Sequence, residues 1–136
     1  MNSSLSDIAV YLLIVDDDAD DHFLLRKAID AVIPQAIVES LYDGSEALQF
    51  LENCTTLPNL IFLDLNMPIV SGTSTIKLIR EKDYLANIPI IVLTTSNNEK
   101  DRTESLKLGA SDFYSKPFSQ KDLVKIVEEV KEKWLK

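Results

Sequence analysis

The chain has 136 residues, of which 46% are hydrophobic and 26% charged, and this balance is typical of one globular domain with a full core. Its net charge of -8 argues against nucleic acid or an anionic membrane as a partner, because both are themselves negatively charged. The single cysteine excludes an intrachain disulfide and a cysteine zinc site, and the expected setting is cytoplasmic. We expect residues 1–8 to form a flexible lead and residues 9–136 to form one domain with no output domain.

The first predicted strand, Tyr11–Val15, is apolar throughout, which suits a strand that is covered on both faces of a parallel sheet. Residues 20–32 follow as a helix, because apolar residues recur there at helical spacing. The predicted inward side chains of this helix are Phe23 or Leu24, Leu25, Ala28, Ile29 and Val32.

Acidic residues crowd the junction between this strand and this helix. Asp18, Asp20 and Asp21 are well explained by helix capping and by the favourable interaction of carboxylates with the helix dipole. Capping explains less well why Asp16 and Asp17 directly follow the strand. These two carboxylates are therefore candidates for a functional site.

The central part of the chain contains two more predicted strands, each followed by a helix. Ile37–Leu41 is the second strand, and residues 45–52 form a short helix after an Asp-Gly turn. The third strand, residues 60–64, is apolar until its last residue, an aspartate, and the Met-Pro pair beyond it ends the strand because proline cannot donate to a sheet. Gly72 lies in the next loop, and a helix over residues 73–81 follows.

The last part of the chain continues the alternation. The fourth strand, Ile90–Thr94, ends in hydroxyl groups and precedes a helix over residues 98–108. Asp112–Ser115 is the fifth strand, and the last helix covers residues 119–135. The apolar residues of the fourth helix are few, chiefly Leu106 and Leu108. Five strands that alternate with five helices predict an open parallel sheet covered on both faces, because crossovers between parallel strands need helices.

Four predicted strands end in polar or charged groups: Asp16 and Asp17, Asp64, Thr94, and Lys116. In a parallel sheet all of these ends lie on one edge, where ligands bind in open α/β folds. Three carboxylates held together repel one another, and a hard divalent cation such as Mg²⁺ relieves that repulsion through oxygen ligands. A cation, an ammonium and a hydroxyl around Asp64 are the groups that phosphoryl transfer to this carboxylate would need.

This ordered set of residues resembles the response-regulator receiver domain of two-component signalling, over about residues 9–135. The matching motifs are Asp16-Asp17, the segment Leu63-Asp64-Leu65-Asn66-Met67-Pro68, Thr94 and Lys116-Pro117. The resemblance implies a flavodoxin-like (βα)5 three-layer sandwich whose five-stranded parallel sheet has the order 2-1-3-4-5. The acid-rich segment 16–21 also resembles the small stand-alone receivers that partner bacterial phytochromes and other hybrid kinases.

The resemblance implies specific roles for the acidic residues. Asp64 is the expected phosphoacceptor, and Asp17 and Asp64 are expected to ligate Mg²⁺ or Mn²⁺ directly. Asp16 is expected to hold metal-bound water, and Asn66 to offer its backbone carbonyl oxygen to the metal.

The resemblance also implies a switch. Lys116 is expected to contact a phosphoryl oxygen and to be joined to Pro117 by a cis peptide bond. Thr94 is the hydroxyl that would report phosphorylation, and Phe113 is the expected switch aromatic, which lacks the phenol hydroxyl that tyrosine would have. Thr95 stands where many receivers carry a small alanine.

The expected partners are a sensor histidine kinase or a phosphotransfer protein as the phosphodonor, with no nucleic acid and no membrane. The signal is expected to leave by docking of a downstream protein, or by self-pairing, at the face formed by residues 98–108, 112–115 and 119–135. The chain is expected to assist its own phosphorylation and dephosphorylation without being a turnover enzyme.

Two alternatives belong to other functional classes. A phosphate-independent pseudo-receiver that serves as a scaffold would normally lack Asp17, Asp64 or Lys116, and all three are present. A phosphohydrolase with an aspartyl nucleophile typically needs a second acid two residues after that nucleophile, where this chain has Asn66.

Overall fold

The structure, a computed structural model, describes residues 10–135, so the predicted flexible lead over residues 1–8 lies outside the described part. Five strands alternate with five α-helices, as the sequence predicts. The strands are β1 (Tyr11–Val15), β2 (Ile37–Leu41), β3 (Leu60–Leu63), β4 (Ile90–Thr94) and β5 (Asp112–Ser115). The helices are α1 (Ala19–Val32), α2 (Gly44–Asn53), α3 (Gly72–Arg80), α4 (Glu99–Leu108) and α5 (Gln120–Trp134). A short 3-10 helix, Asp83–Leu85, precedes β4.

The five strands form one parallel sheet in the order β2-β1-β3-β4-β5, which confirms the predicted flavodoxin-like topology. Helices cover both faces of this sheet. One apolar core lies between the sheet and helices α2 and α3, and the other lies between the sheet and helices α1 and α5. Strands β1, β3 and β4 are buried on both faces apart from the first residue of β1, as their continuous apolar sequences predict.

Strand β3 ends at Leu63, one residue before the predicted end. Asp64 nevertheless stays at the edge of the sheet, because its backbone N–H donates to the carbonyl oxygen of Val15 at 2.9 Å. The carboxylate therefore projects from the carboxyl end of a central strand, beside the end of β1.

Helix α1 turns a different side to the core than the sequence suggested at its first turn. Phe23 and Leu24 are 64% and 41% exposed, so the expectation that one of them faces inward is wrong. The buried residue is His22, because positions 22, 25 and 29 share one helical stripe with Leu25 and Ile29. The inward positions of Leu25, Ala28 and Ile29 are confirmed.

Helix α4 has very few core contacts. Its fully buried residue is Ser105, whose hydroxyl donates to the backbone carbonyl oxygen of Asp101 at 2.7 Å and so meets its hydrogen bond within the helix. Of the two leucines of this helix, Leu106 is 37% exposed, whereas Leu108 is half-buried against the core. The helix thus rests on a small polar residue and on one leucine near its end.

Gly72 is the first residue of α3 and does not lie in the preceding loop. A Cβ atom at this position would lie 2.5 Å from the carbonyl oxygen of Asp64 and 2.4 Å from Cα of Leu65. Glycine is required here because the start of α3 packs directly against the backbone that carries Asp64. Among the described residues, no helix is both long and apolar enough to cross a membrane.

Candidate functional site

Three carboxylates meet at the carboxyl edge of the sheet. Asp16 and Asp17 follow β1, and Asp64 follows the adjacent strand β3. One carboxylate oxygen from each of the three lies within 4.8 Å of the others. Asp16 and Asp64 are each 5% exposed, whereas Asp17 is exposed and leaves the cluster open to solvent. The structure therefore brings together the acidic residues that the sequence singles out.

Backbone hydrogen bonds fix the two buried carboxylates. Oδ1 of Asp16 accepts from the backbone N–H of Asp18 at 2.9 Å. Oδ1 of Asp64 accepts from the backbone N–H of Asn66 at 3.3 Å. Each carboxylate thus keeps its second oxygen, Oδ2, for groups that approach from the β5 side of the sheet.

Lys116 supplies the positive charge of the site. Its Nζ lies 2.8 Å from Oδ2 of Asp16, 2.6 Å from Oδ2 of Asp21 and 3.6 Å from Oδ2 of Asp64. The side chain of Lys116 is only 14% exposed, so these ion pairs are shielded from water. The ammonium lies next to the predicted phosphoacceptor.

Sequence reasoning assigned Asp21 to the helix dipole and missed its contact with Lys116. The signal was present in the sequence, because positions 21, 25 and 28 share the inward stripe of α1 with the buried Leu25 and Ala28. Asp21 begins this stripe at the carboxyl edge of the sheet, where Lys116 also lies. A carboxylate at that place can serve the site as well as the helix.

The predicted cis peptide bond between Lys116 and Pro117 is wrong, because the described residues contain no cis peptide bond. The backbone N–H of Lys116 donates to the carbonyl oxygen of Thr94 at 2.7 Å and so continues the pairing of β5 with β4. From this position the long lysine side chain reaches the acidic cluster with the bond in trans, the form that X-Pro bonds favour by about 0.5–1 kcal/mol.

Burial and neighbouring charges shift the pKa values of two groups in the site. Burial raises the pKa of Asp16 above its ordinary value, and the nearby charge of Asp64 adds to this, while the hydrogen bond from Lys116 opposes it. Burial by itself lowers the pKa of Lys116, but hydrogen bonds to Asp16 and Asp21 outweigh that effect and the net pKa is raised. Lys116 is thus held firmly in its charged form beside the buried carboxylates.

Thr94 and Asn66 lie on the β4 side of the cluster. Thr94 is fully buried at the end of β4, and its hydroxyl oxygen accepts a hydrogen bond from the side-chain amide of Asn66 at 3.3 Å. The same amide donates to the hydroxyl of Thr95 at 3.1 Å. The predicted switch hydroxyl is therefore linked to the strand end that carries Asp64.

Phe113 lies in the core with 7% of its surface exposed. The guanidinium carbon of Arg102, on α4, lies 6.0 Å from the centre of its ring. Arg102 also donates to the backbone carbonyl oxygen of Phe113 at 3.4 Å. The predicted switch aromatic is therefore inward and is covered by a cation from α4.

His22 is a second residue near the site that sequence reasoning missed. Its Nε2 lies 2.8 Å from the carbonyl oxygen of Asp16 and 3.1 Å from that of Leu41. Both partners are acceptors, so Nε2 carries the hydrogen and His22 ties the loop after β1 to the end of β2. The same helical stripe that contains Leu25 and Ile29 could have identified it.

The donor set fits a hard divalent cation. Mg²⁺ binds oxygen ligands at about 2.0–2.1 Å, so ligands on opposite sides of the ion are about 4.2 Å apart. Oxygens that lie within 4.8 Å of one another are close enough for one ion to be bound directly by some of them and through a water ligand by another. The exposure of Asp17 leaves room for the water ligands that Mg²⁺ usually keeps.

The fold and the site define a flavodoxin-like α/β domain with an acidic, lysine-containing site at the carboxyl ends of its strands. The chain belongs to the response regulator receiver domain family, whose family model matches residues 12–128. The resemblance drawn from the sequence is thereby confirmed.

Two sequence relatives are similar to this chain over most of their length. The response regulator Rcp1 of Synechocystis sp. is 34% identical, over 93% of this chain and 88% of Rcp1. The probable methanogenesis regulatory protein FilR2 of Methanothrix harundinacea is 33% identical, over 91% of this chain and 83% of FilR2.

Solved structures of related proteins have the same fold. The phosphorylated cyanobacterial phytochrome response regulator RcpA superposes with a TM-score of 0.87 at 30% identity, over 94% of this chain and 95% of RcpA. The Mn²⁺-bound form of Rcp1 superposes with a TM-score of 0.82 at 33% identity, over 93% and 94% of the two chains. Receiver domains interact with histidine kinases or phosphotransfer proteins, and the acidic cluster of this chain is consistent with divalent metal binding in such domains.

Proposed function

We propose that this protein is a response regulator that accepts a phosphoryl group on Asp64 from a sensor histidine kinase or a phosphotransfer protein. The observation that carries the proposal is the placement of the buried Asp64 carboxylate between two further carboxylates and the ammonium of Lys116, 3.6 Å from Oδ2. The phosphorylated state of RcpA and the Mn²⁺-bound state of Rcp1 support the same chemistry for a chain of this fold.

The transfer is a displacement at phosphorus. A carboxylate oxygen of Asp64 forms a bond to phosphorus as the bond between phosphorus and the donor imidazole nitrogen breaks. The electron pair of the broken bond stays on that imidazole nitrogen. Lys116 stabilises the negative charge on the phosphoryl oxygens, and the backbone N–H of Asn66 orients Asp64 through Oδ1.

The metal in this proposal is Mg²⁺ or Mn²⁺, and when bound it neutralises charge on the phosphoryl group. Asp17 and Asp64 would ligate the ion directly, Asp16 would hold its water, and Asn66 would offer its backbone carbonyl oxygen. The gathering of three carboxylate oxygens within 4.8 Å supports this assignment, because a bound cation relieves their mutual repulsion.

The signal in this proposal leaves through the exit face, which we define as the surface formed by α4, β5 and α5. A phosphoryl group on Asp64 draws the hydroxyl of Thr94 toward it, and Phe113 and α4 adjust to that movement. The inward Phe113 and the few core contacts of α4 support this route. A downstream protein or a second copy of the chain would then bind the exit face, so the protein signals without being a turnover enzyme.

The proposal is tested by treating the protein with acetyl phosphate and Mg²⁺ and measuring its intact mass. The wild-type chain should gain one phosphoryl group and lose it slowly, whereas Asp64→Asn should gain none because an amide is a poor nucleophile. A mass gain retained in Asp64→Asn would place the acceptor elsewhere. An unmodified wild-type chain would favour a scaffold, and rapid release of phosphate with turnover would favour a phosphohydrolase.

A further inference from the structure

Lys116 has three N–H donors, and the structure assigns two of them to carboxylates other than the phosphoacceptor. The distances of 2.6 Å to Asp21 and 2.8 Å to Asp16 are those of charge-assisted hydrogen bonds. The distance of 3.6 Å to Asp64 is too long for one. One donor of the ammonium therefore remains for a group that arrives at Asp64.

We propose that Asp21 is a positioning residue, which holds the ammonium of Lys116 beside Asp64 before and during phosphoryl transfer. This inference rests on the proposed function, because it concerns how Lys116 meets the phosphoryl group on Asp64. Among the described residues, the acidic cluster consists of Asp16, Asp17 and Asp64, and Asp21 is not part of it. Asp21 contacts Lys116 instead.

Asp21 suits this task better than Asp16. Asp16 belongs to the acidic cluster and would also hold metal-bound water, so a bound metal would compete with Lys116 for its carboxylate. Asp21 lies outside that cluster, and its position is fixed by the first turn of α1, where its backbone N–H donates to Oδ1 of Asp18 at 3.3 Å. The tie from Asp21 to Lys116 can therefore persist when a metal is bound.

The benefit of such a tie lies in the flexibility of lysine. A lysine side chain has four rotatable bonds, and fixing them only when the phosphoryl group arrives would oppose binding. Nζ of Lys116 already lies 3.6 Å from Oδ2 of Asp64. An oxygen of a phosphoryl group on Asp64 can therefore contact the ammonium while the ammonium stays bound to Asp21. Asp21 thus orders Lys116 in advance.

The experiment compares Asp21→Ala and Asp21→Asn with wild type in two measurements, the affinity for beryllofluoride with Mg²⁺ and the initial rate of phosphoryl uptake from acetyl phosphate. Asp21→Ala should lower the beryllofluoride affinity and the initial rate by about tenfold each, the scale expected from losing one well-placed contact. Asp21→Asn should stay within about threefold of wild type, because its amide oxygen still accepts from Lys116. The matched control is Asp20→Ala, which removes the same charge from the same helical turn at an exposed position and should leave both measurements unchanged.

A double-mutant cycle separates positioning from a general effect on the fold. In a Lys116→Ala background, Asp21→Ala should cause no further loss of beryllofluoride affinity, because it acts only through the lysine. A tenfold loss that persists without Lys116 would overturn the proposal. The proposal would also be overturned if Asp21→Ala bound beryllofluoride as tightly as wild type or more tightly. Asp21 would then hold Lys116 back from the phosphoryl group.

A third measurement makes the inference independent of phosphorylation. The NMR signal of the Lys116 ammonium should be protected from hydrogen exchange in the unphosphorylated wild type and lose that protection in Asp21→Ala. If the wild-type protein accepted no phosphoryl group, the proposed function would be wrong. The ammonium signal would still show whether Asp21 holds Lys116 in the unphosphorylated protein. An unchanged signal in Asp21→Ala would refute the tie itself.

Discussion

The two oxygens of Asp64 have different surroundings, and this difference organises the chemistry of the site. Oδ1 accepts from the backbone N–H of Asn66, whereas Oδ2 faces the ammonium of Lys116. The carboxylate is 5% exposed, so these contacts act with little screening by water. A single buried aspartate is thereby oriented on one side and charge-compensated on the other.

Asp17 offers the most direct test of the proposed metal site. Asp17→Asn should weaken Mg²⁺ binding by at least about tenfold, because the variant replaces a charged ligand with a neutral one at the solvent-exposed side of the cluster. Titration with Mg²⁺, followed by NMR shifts of residues near the cluster, measures this. Asp18→Asn is the matched control, since Asp18 caps α1 and lies outside the cluster as the described residues form it. Undiminished binding in Asp17→Asn would rule out the assignment.

At the scale of elements, β5 is attached unequally to its two neighbouring helices. Toward α5, the hydroxyl of Tyr114 donates to Glu129, and the indole of Trp134 donates to Asp112 at 3.3 Å. Lys133 also pairs with Asp112 at 3.6 Å. These contacts join β5 and α5 into one unit.

Helix α4 is held mainly at its carboxyl end. Arg80, on α3, donates to the carbonyl oxygen of Gly109 at 2.9 Å and to that of Ile88 at 2.8 Å, so the turn after α4 is tied to the rest of the fold. Near its start, α4 is joined to the sheet chiefly by Arg102 over Phe113 and by the contact of Ser96 with Asp101 at 2.5 Å. The end of α4 nearest Thr94 is therefore the part that can shift at the least free-energy cost.

Hydrogen exchange with and without beryllofluoride should report this shift. Protection should change in residues 94–118 more than in α1 and α2, with the largest change toward the start of α4, because that end has the weaker anchors. Thr94→Ala should reduce the change outside the loops around Asp16 and Asp64, since it removes the hydroxyl that responds to the phosphoryl group in the proposed switch. Changes confined to the loops around Asp16 and Asp64 would show that the exit face does not carry the signal.

At the scale of the whole molecule, the acidic cluster links metal binding to stability. The chain carries a net charge of -8, and three of its carboxylates are gathered at one edge of the sheet. Repulsion among these groups opposes folding, while an ion that binds the assembled cluster favours the folded state.

Mg²⁺ should therefore raise the free energy of unfolding by about 2.7 kcal/mol when its concentration is 100 times the dissociation constant. Urea unfolding with and without Mg²⁺ measures the difference, and sodium chloride at equal ionic strength controls for general screening of charge. The gain should shrink in Asp17→Asn. An equal gain from sodium chloride would show that screening, and no specific site, stabilises the fold.

The sequence by itself predicted the alternation of strands and helices and the grouping of three carboxylates, because both depend on local patterns, whereas the strand order followed from the resemblance to receiver domains. Continuous apolar runs identify β1, β3 and β4. A parallel sheet brings the carboxyl ends of all its strands to one edge, regardless of the conformation of the connecting loops. Asp16, Asp17 and Asp64 could therefore be grouped before any contact was known, and the structure gathers their oxygens within 4.8 Å.

Only the tertiary structure decided how side chains from distant elements meet. Asp21 and Lys116 are 95 positions apart, and their contact depends on the rotation of α1 against the end of β5. The same rotation buries His22 and exposes Phe23, and the packing of α4 buries Ser105 while Leu106 stays 37% exposed. Periodicity predicts which residues of a helix share one face, but packing between elements decides which neighbour covers that face. Packing also sets the conformation of a bond such as Lys116–Pro117.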